Sequence, residues 1–215
     1  MYICPTNLRK LTGFQNIKTV LASKCVGIAG AGGLGSNAAA ALVRAGIGRL
    51  VVADFDVVED SNLDRQFYFP DQTGQPKVYA LKNNLLRINP TAFVRVFHEK
   101  ITPDNARSFF SSCHVVVEAF DNAEEKEWFA VWMDKHLPRI PLIMASGISG
   151  WGHPEQMRVQ RTSNMYVCGH QVEPEKKEIP LLAPRVMQVA MMQADLVLEI
   201  LLKDIPQTHD HNVKQ

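Results

Sequence analysis

The sequence predicts an α/β protein of Rossmann-like architecture, with a mostly parallel sheet, helices on both faces and a long crossover loop before the C-terminal helix. Short apolar runs alternate with helical patterns along most of the chain, an order typical of parallel sheets covered by helices. The run Gly30-Ala31-Gly32-Gly33-Leu34-Gly35 lies between an apolar run and an alanine-rich segment, the order of strand, tight turn and helix. For 215 residues we expect one domain over 1–215, with a lead-in over 1–24 and a flexible tail over 205–215.

The individual elements follow from these patterns in chain order. The lead-in carries a short helix over 16–23. Apolar runs predict strands over 25–29, 50–54, 93–98, 115–119 and 142–145. Helical patterns predict helices over 34–45, 76–88, 104–111 and 123–137. The helix over 76–88 ends at Ile88, because Pro90 cannot continue it.

The C-terminal part of the chain predicts an edge strand over 157–160, a loop and a final helix. We expect an exposed, mobile loop over 168–180, since the segment 171–178 is charged, lacks an apolar period and contains a proline. Pro184 suits the first turn of the helix that follows. Apolar residues then recur at spacings of three and four, which predicts a buried stripe formed by Met187, Met191, Ala194, Leu198 and Leu201.

Composition limits the possible partners and the cellular location. The chain has 23 basic and 22 acidic residues, so nothing in its charge favours nucleic acid or an anionic membrane as a partner. It lacks a signal-peptide pattern and any apolar run long enough to cross a bilayer. Its four cysteines form no C-x-x-C pair, so we expect neither structural zinc nor a disulfide scaffold. These features predict a cytoplasmic protein with reduced thiols.

The glycine-rich turn predicts a nucleotide site. Gly30, Gly32, Gly33 and Gly35 allow the backbone to approach a phosphate closely, and the start of the next helix supplies free N–H groups. Asp54 follows the next strand at a spacing that suits a contact with ribose hydroxyls. This pattern alone also fits an NAD-dependent oxidoreductase. A purely local role for Asp54, as a loop cap, is the structural alternative.

Three charged residues favour a nucleoside triphosphate over a dinucleotide. Arg65 and Lys77 can neutralise a polyphosphate, and Asp121 can hold Mg²⁺ together with phosphate oxygens. A carboxylate substrate, already ionised near neutral pH, could then attack the α-phosphate without a general base. The alternatives are a surface ion pair for Arg65, a solvated position for Lys77 and an N-cap role for Asp121.

Taken in order, these motifs resemble those of the ThiF/MoeB/HesA family of adenylating enzymes, relatives of ubiquitin-activating enzymes. The resemblance is dense from Val26 to Asp121 and looser beyond. It is carried by the glycine turn and by Asp54-Phe55-Asp56, Asn62-Leu63-Asp64-Arg65-Gln66, Gly74-Gln75-Pro76-Lys77-Val78, Arg87-Ile88-Asn89-Pro90 and Asp121. The compact length, with Ala145-Ser146-Gly147 and Tyr166-Val167-Cys168-Gly169, is most similar to the short ThiF proteins of thiamine synthesis, which adenylate the sulfur carrier ThiS.

This resemblance implies Mg²⁺- and ATP-dependent adenylation of the C-terminal glycine of a small ubiquitin-fold sulfur carrier that ends in Gly-Gly. It implies that the glycine turn and Asp54 bind the nucleotide, and that Asp121 holds Mg²⁺. It also implies nucleotide contacts for Asn62, Arg65, Gln66 and Lys77, of which Arg65 and Lys77 act in catalysis together with Asp121. The family usually works as a homodimer, and a cysteine of the crossover region transfers sulfur in some members, for which Cys168 is the candidate here.

The chain departs from the family pattern in two places. Family members commonly carry two zinc-binding C-x-x-C pairs, which this sequence lacks. Many also supply an arginine across the dimer from an N-terminal segment, where this chain offers Arg9 at a different spacing. Three further functions stay open: adenylation of another carboxylate or of a tRNA, an NAD-dependent oxidoreductase, and a non-catalytic partner subunit, the last of which the different position of Arg9 makes less remote.

Overall fold

A single seven-stranded sheet forms the centre of the computed structural model, which describes residues 13–170 and 179–205. The strands lie in the order β3-β2-β1-β4-β5-β7-β6, and β6 alone runs antiparallel to its neighbour. Their bounds are β1 Cys25–Ala29, β2 Arg49–Ala53, β3 Phe93–Phe97, β4 Val115–Glu118, β5 Leu142–Ser146, β6 Met157–Thr162 and β7 Met165–His170. The β1–β2 register pairs Ala29 with Ala53, so these two strands end at the same edge.

Helices cover both faces of this sheet. They are α1 Gly13–Ser23, α2 Gly33–Ala45, α3 Lys77–Ile88, α4 Ala106–Phe110, α5 Ala123–His136 and α6 Ala183–Leu201. One apolar core lies between the sheet and α2, α3 and α6, and a second lies between the sheet and α4 and α5. Because strand side chains alternate between faces, Val115 and Val117 enter the first core while Val116 enters the second. The predicted α/β Rossmann-like fold is therefore confirmed.

The loop predicted over 168–180 is wrong in its first residues. Residues 168–170 complete β7, which pairs with β5 on one side and with β6 on the other. The charged residues that follow dominated the prediction, whereas the apolar and aromatic side chains of 165–168 suit a strand between two neighbours. The predicted edge strand is β6, two residues longer than expected. The segment 171–178, the first part of the lead-in over 1–12, including Arg9, and the tail over 206–215 lie outside the described residues.

The buried stripe predicted on the last helix is also wrong in part. Met187 and Met191 are each 42% exposed, whereas Ala194 is buried as predicted. The buried face of α6 is formed by Val186, Val189, Ala190, Gln193, Ala194, Leu196 and Val197. Apolar residues occur nearly all round this helix, so periodicity alone could not decide which side packs on α2 and the sheet. No helix among residues 13–170 and 179–205 is both long and apolar enough to span a membrane.

Candidate active site

A cavity of about 340 Å³ lies at the carboxyl ends of β1, β2 and β4. Ligands bind at this edge in open parallel sheets, because loops of neighbouring strands diverge there. Eight residues predicted from the sequence line the cavity: Gly30, Gly32, Gly33, Asp54, Arg65, Gln66, Lys77 and Asp121. The fold therefore brings together glycines, two cations and two carboxylates that lie up to 91 positions apart in the chain.

The glycine turn closes tightly between β1 and α2. Gly30 has φ +97°, and a side chain there would press against the carbonyl oxygen of Ala119. A Cβ atom at Gly35 would collide with the carbonyl oxygen of Gly30. Gly32, in contrast, faces open space on the cavity side. Gly35 is buried in the turn and does not line the cavity, so its contribution is to the shape of the turn.

An added methyl group is expected to destabilise the protein at Gly35 but not at Gly32. We expect Gly35→Ala to lower the melting temperature by roughly 2–12 °C, since overpacking costs about 1–3 kcal/mol. Gly32→Ala is the matched control, because its Cβ meets nothing within 4 Å and its φ of −77° suits alanine. Thermal unfolding by circular dichroism measures both. Equal melting temperatures in the two variants would contradict the assigned geometry.

Asp54 joins the glycine turn to the end of β2. Its Oδ2 accepts a hydrogen bond from the Ala31 N–H at 2.6 Å, and its Oδ1 accepts one from the Asp56 N–H at 2.7 Å. Burial raises the pKa of this carboxyl, and the two backbone hydrogen bonds oppose that rise. Asp54 therefore does cap the loop after β2, as the structural alternative expected. Asp54 also lines the cavity, so the ribose contact remains a prediction.

Lys77 is held inside the site rather than in solvent. The residue is only 6% exposed, and its Nζ lies 2.8 Å from Asp56 Oδ2. The Lys77 N–H also donates to the Asp56 carbonyl oxygen at 2.9 Å, which fixes the start of α3. The alternative of a solvated first-turn lysine is therefore wrong. Asp56 lines the cavity too, although the sequence analysis gave it no role. The D-x-D spacing was the available signal.

Arg65 also lines the cavity, close to Gly33 of the glycine turn. Its Nη1 donates to Asp64 Oδ1 at 2.7 Å and to the Ser61 carbonyl oxygen at 2.8 Å. The surface pair considered as an alternative is thus real, and Arg65 lines the cavity as well. Asn37 of α2 donates to the Arg65 carbonyl oxygen at 2.9 Å and so ties this segment to the helix after the turn.

The two amides of this segment differ in position. Asn62 is buried, and its Oδ1 accepts from the Glu59 N–H at 3.1 Å, which closes a local turn. It does not line the cavity, so its proposed phosphate contact has no support from this geometry. Gln66 does line the cavity, and its Oε1 is buried without a hydrogen-bond partner in the described part of the chain. That oxygen can accept a hydrogen bond from a ligand.

Asp121 lies in the short loop between β4 and α5. It is exposed and lines the cavity, and no hydrogen bond or ion pair of its side chain is found within residues 13–170 and 179–205. Asn122 caps α5 instead, accepting from the Glu124 N–H at 2.8 Å and the Glu125 N–H at 3.1 Å. The N-cap alternative for Asp121 is therefore wrong. A carboxylate that lines this cavity could hold Mg²⁺, which takes one or two protein carboxylates beside phosphate oxygens, so the metal role of Asp121 stays a prediction.

A buried ion pair behind Asp121 was not found from the sequence. Glu118 ends β4 with no exposed surface, and Lys126 Nζ of α5 lies 2.8 and 3.1 Å from its two oxygens. Burial raises the pKa of the Glu118 carboxyl, and Lys126 and backbone N–H groups act in the opposite direction. The signal in the sequence was a glutamate directly after three valines, where a side chain is normally apolar.

Cys168 does not lie at a loop entrance. It lies within β7, is fully buried and packs in the first core. Burial raises the pKa of its thiol to about 12. Because the thiolate is the nucleophile, this environment argues against the sulfur-transfer role considered for Cys168. Cys25 and Cys113 are also buried, with their sulfur atoms 4.0 Å apart at the amino ends of β1 and β4.

The burial of Cys168 predicts resistance to alkylation. We expect iodoacetamide to leave Cys168 unmodified in the native protein near neutral pH and to modify it fully in urea. Peptide mass spectrometry after timed alkylation measures both states, so that the denatured protein is its own control. Native modification at the rate of a free thiol would show that β7 opens readily and would restore Cys168 as a candidate nucleophile.

The chain is similar in sequence to several known proteins. A family model described as the ThiF family matches residues 6–215. The ubiquitin-like modifier-activating enzyme 5 of Caenorhabditis elegans is 40% identical over 176 residues, which cover 63% of this chain and 42% of that protein. The molybdopterin-synthase adenylyltransferase of Salmonella typhimurium is 28% identical over 179 residues, covering 81% and 71%. The chain thus spans less than half the length of the first of these relatives.

Among solved structures, the fold is similar to that of the tRNA N6-threonylcarbamoyladenosine dehydratase of E. coli in complex with ATP. The TM-score is 0.80 at 20% identity, and the match covers 95% of this chain and 98% of that one. At this identity the likeness establishes the shared architecture.

Proposed function

The chain belongs to the ThiF family of E1-like adenylating enzymes, and on that premise we propose that it is an adenylyltransferase that uses ATP and Mg²⁺ to activate a carboxylate. The proposed substrate is the C-terminal glycine of a small ubiquitin-fold sulfur carrier, of the kind that serves thiamine thiazole synthesis. Action as a cytoplasmic homodimer completes the proposal and is supported by the family resemblance.

One observation carries this proposal: a cavity joins a tight glycine turn to two cations and to the Asp121 carboxylate, which has no partner among the described residues. The glycine turn suits a phosphate, and Arg65 and Lys77 lie on the walls beside it. Asp121 supplies the oxygen ligand that a magnesium–phosphate complex needs. A dinucleotide-dependent oxidoreductase needs no such set of charges around its phosphates. The cavity therefore favours a nucleoside triphosphate.

The residues of the site suffice for a direct displacement at phosphorus. An oxygen of the substrate carboxylate forms a bond to the α-phosphorus of ATP, and the bond from that phosphorus to the α–β bridging oxygen breaks. The products are an acyl-adenylate and pyrophosphate. Arg65 and Lys77 offset the charge that grows on the phosphate oxygens. Asp121 would hold Mg²⁺, which supplies charge neutralisation at the leaving pyrophosphate.

A ubiquitin-fold carrier is favoured over a tRNA by the charge of the chain. The net charge is +1, with 23 basic and 22 acidic residues, whereas binding to nucleic acid favours an excess of basic residues. A relative that matches 63% of this chain is named as an activating enzyme of a ubiquitin-like modifier. A net charge near zero and a cavity suited to ATP are compatible with a protein tail as the second substrate.

ATP–pyrophosphate exchange tests the function directly. The assay contains Mg²⁺, the enzyme and one substrate from a panel: a thiamine-type carrier, a molybdopterin-type carrier, a ubiquitin-like modifier, or tRNA bearing threonylcarbamoyladenosine. Each protein is also supplied without its last glycine as a matched control. We expect exchange that depends on the intact carrier tail and is fastest with the thiamine-type carrier. Exchange with another substrate alone would replace the proposed carrier, and absence of ATP binding would overturn the adenylation function itself.

A further inference from the structure

We propose that Glu118 is a positioning residue of the site, whose buried carboxylate fixes the loop over 119–122 so that Asp121 faces the bound nucleotide. The inference rests on the proposed function, because it assumes that Asp121 serves Mg²⁺ and ATP. Glu118 itself lies behind the cavity wall and does not line the cavity.

The loop after β4 is attached to the sheet by consecutive backbone groups. The Ala119 N–H donates to the Ala29 carbonyl oxygen of β1 at 2.8 Å, which continues the sheet by one residue. The next N–H, that of Phe120, has no strand partner and donates to Glu118 Oε1 at 2.6 Å. The Glu118 side chain therefore holds the chain at the point where it leaves the sheet, one residue before Asp121.

Two more contacts connect this loop to its surroundings. Lys126, on the second turn of α5, pairs with both oxygens of Glu118 and so sets the distance between β4 and that helix. Gln193 of α6 donates from Nε2 to the Glu118 carbonyl oxygen at 3.0 Å. The Glu118 carboxylate thus links the Asp121 loop to the start of α5.

The energetics favour positioning over stability as the reason for this carboxylate. Glu118 points to the same face of the sheet as Val116, into an apolar core that contains Phe129 and Met133. Replacing a buried ion pair by apolar residues of similar volume is often neutral or stabilising, because desolvation offsets the Coulombic attraction. A leucine at this position would pack in the apolar core with a similar volume. What it would not supply is the acceptor for the Phe120 N–H.

The test compares ATP affinity with and without Mg²⁺ by isothermal titration calorimetry. Glu118→Leu is expected to reduce the enhancement of affinity by Mg²⁺ by about tenfold, the usual effect of removing a support behind a metal ligand. Its ATP affinity in EDTA should stay within about twofold of wild type, since the glycine turn remains. Glu118→Gln retains an acceptor for the Phe120 N–H and should keep most of the enhancement. Glu118→Leu leaves the Lys126 ammonium without its partner, which could impair folding. If the single variant folds poorly, the double variant Glu118→Leu/Lys126→Met removes that cation as well and is measured instead.

Two further variants separate the possible outcomes. Glu199→Gln removes the acid of an exposed pair with Arg161, far from the cavity, and should leave the Mg²⁺ enhancement unchanged. Asp121→Asn should lower the enhancement at least as much as Glu118→Leu. If Asp121→Asn lowers it and Glu118→Leu changes only the melting temperature, the positioning role is wrong while the proposed function stands. If Asp121→Asn has no effect, the metal assignment fails and the positioning role fails with it.

Discussion

Replacement of Asp121 by alanine is expected to lower the rate of Mg²⁺-dependent ATP–pyrophosphate exchange by roughly a thousandfold, because a metal ion contributes several kcal/mol of charge stabilisation at a reacting phosphate. The side chain is exposed and has no hydrogen bond or ion pair within the described ranges. Asn122, not Asp121, caps α5, so the helix keeps its start in the variant. The melting temperature should therefore remain close to that of wild type.

The matched control is Asp134→Ala. This variant removes an exposed carboxylate near the end of α5, and Asp134 does not line the cavity. It should leave both the exchange rate and the melting temperature unchanged. Exchange is measured as incorporation of labelled pyrophosphate into ATP over a range of Mg²⁺ concentrations. Normal turnover by Asp121→Ala across that range would contradict the assignment of Asp121 as the Mg²⁺ ligand. Another carboxylate that lines the cavity would then have to hold the metal.

Site residues could be predicted best where a glycine or a charged residue follows an apolar strand. Gly30, Asp54 and Asp121 each come directly or nearly directly after such a run, and parallel strands bring their carboxyl ends to one edge. The fold class and eight of the residues that line the cavity could be predicted for this reason. Gly35 and Asn62 belong to the same motifs but shape turns behind the cavity, and motif membership alone cannot separate the two roles.

Features that depend on contacts between different helices and strands could not be predicted from the local sequence pattern. The Glu118–Lys126 pair joins a strand to a helix eight positions away, and only the packing of α5 on the sheet shows that the two charges meet. The burial of Cys168 depends on the pairing of β7 with both β5 and β6. The orientation of α6 likewise depends on which apolar side faces α2, since both sides carry apolar residues.

The second large effect is expected for Lys77→Met, which should lower the exchange rate about a hundredfold through loss of charge stabilisation at the phosphates. Methionine retains the apolar stem of this buried side chain but not its cation. The Asp56 carboxylate loses its partner, yet its side chain is 46% exposed and can be hydrated, so we expect little change in stability.

Lys82→Met is the control that separates a local charge effect from a general one. Lys82 lies on α3 with Lys77, is partly exposed and does not line the cavity, so its loss changes the net charge equally without touching the site. It should keep the wild-type exchange rate. Steady-state exchange kinetics at varied ATP separate weaker binding from slower chemistry: a cation that acts mainly in the transition state lowers kcat more than it raises KM. Equal rates for Lys77→Met and Lys82→Met would show that Lys77 serves the Asp56 pair alone, which would leave Arg65 as the phosphate-neutralising side chain among those assigned to the cavity.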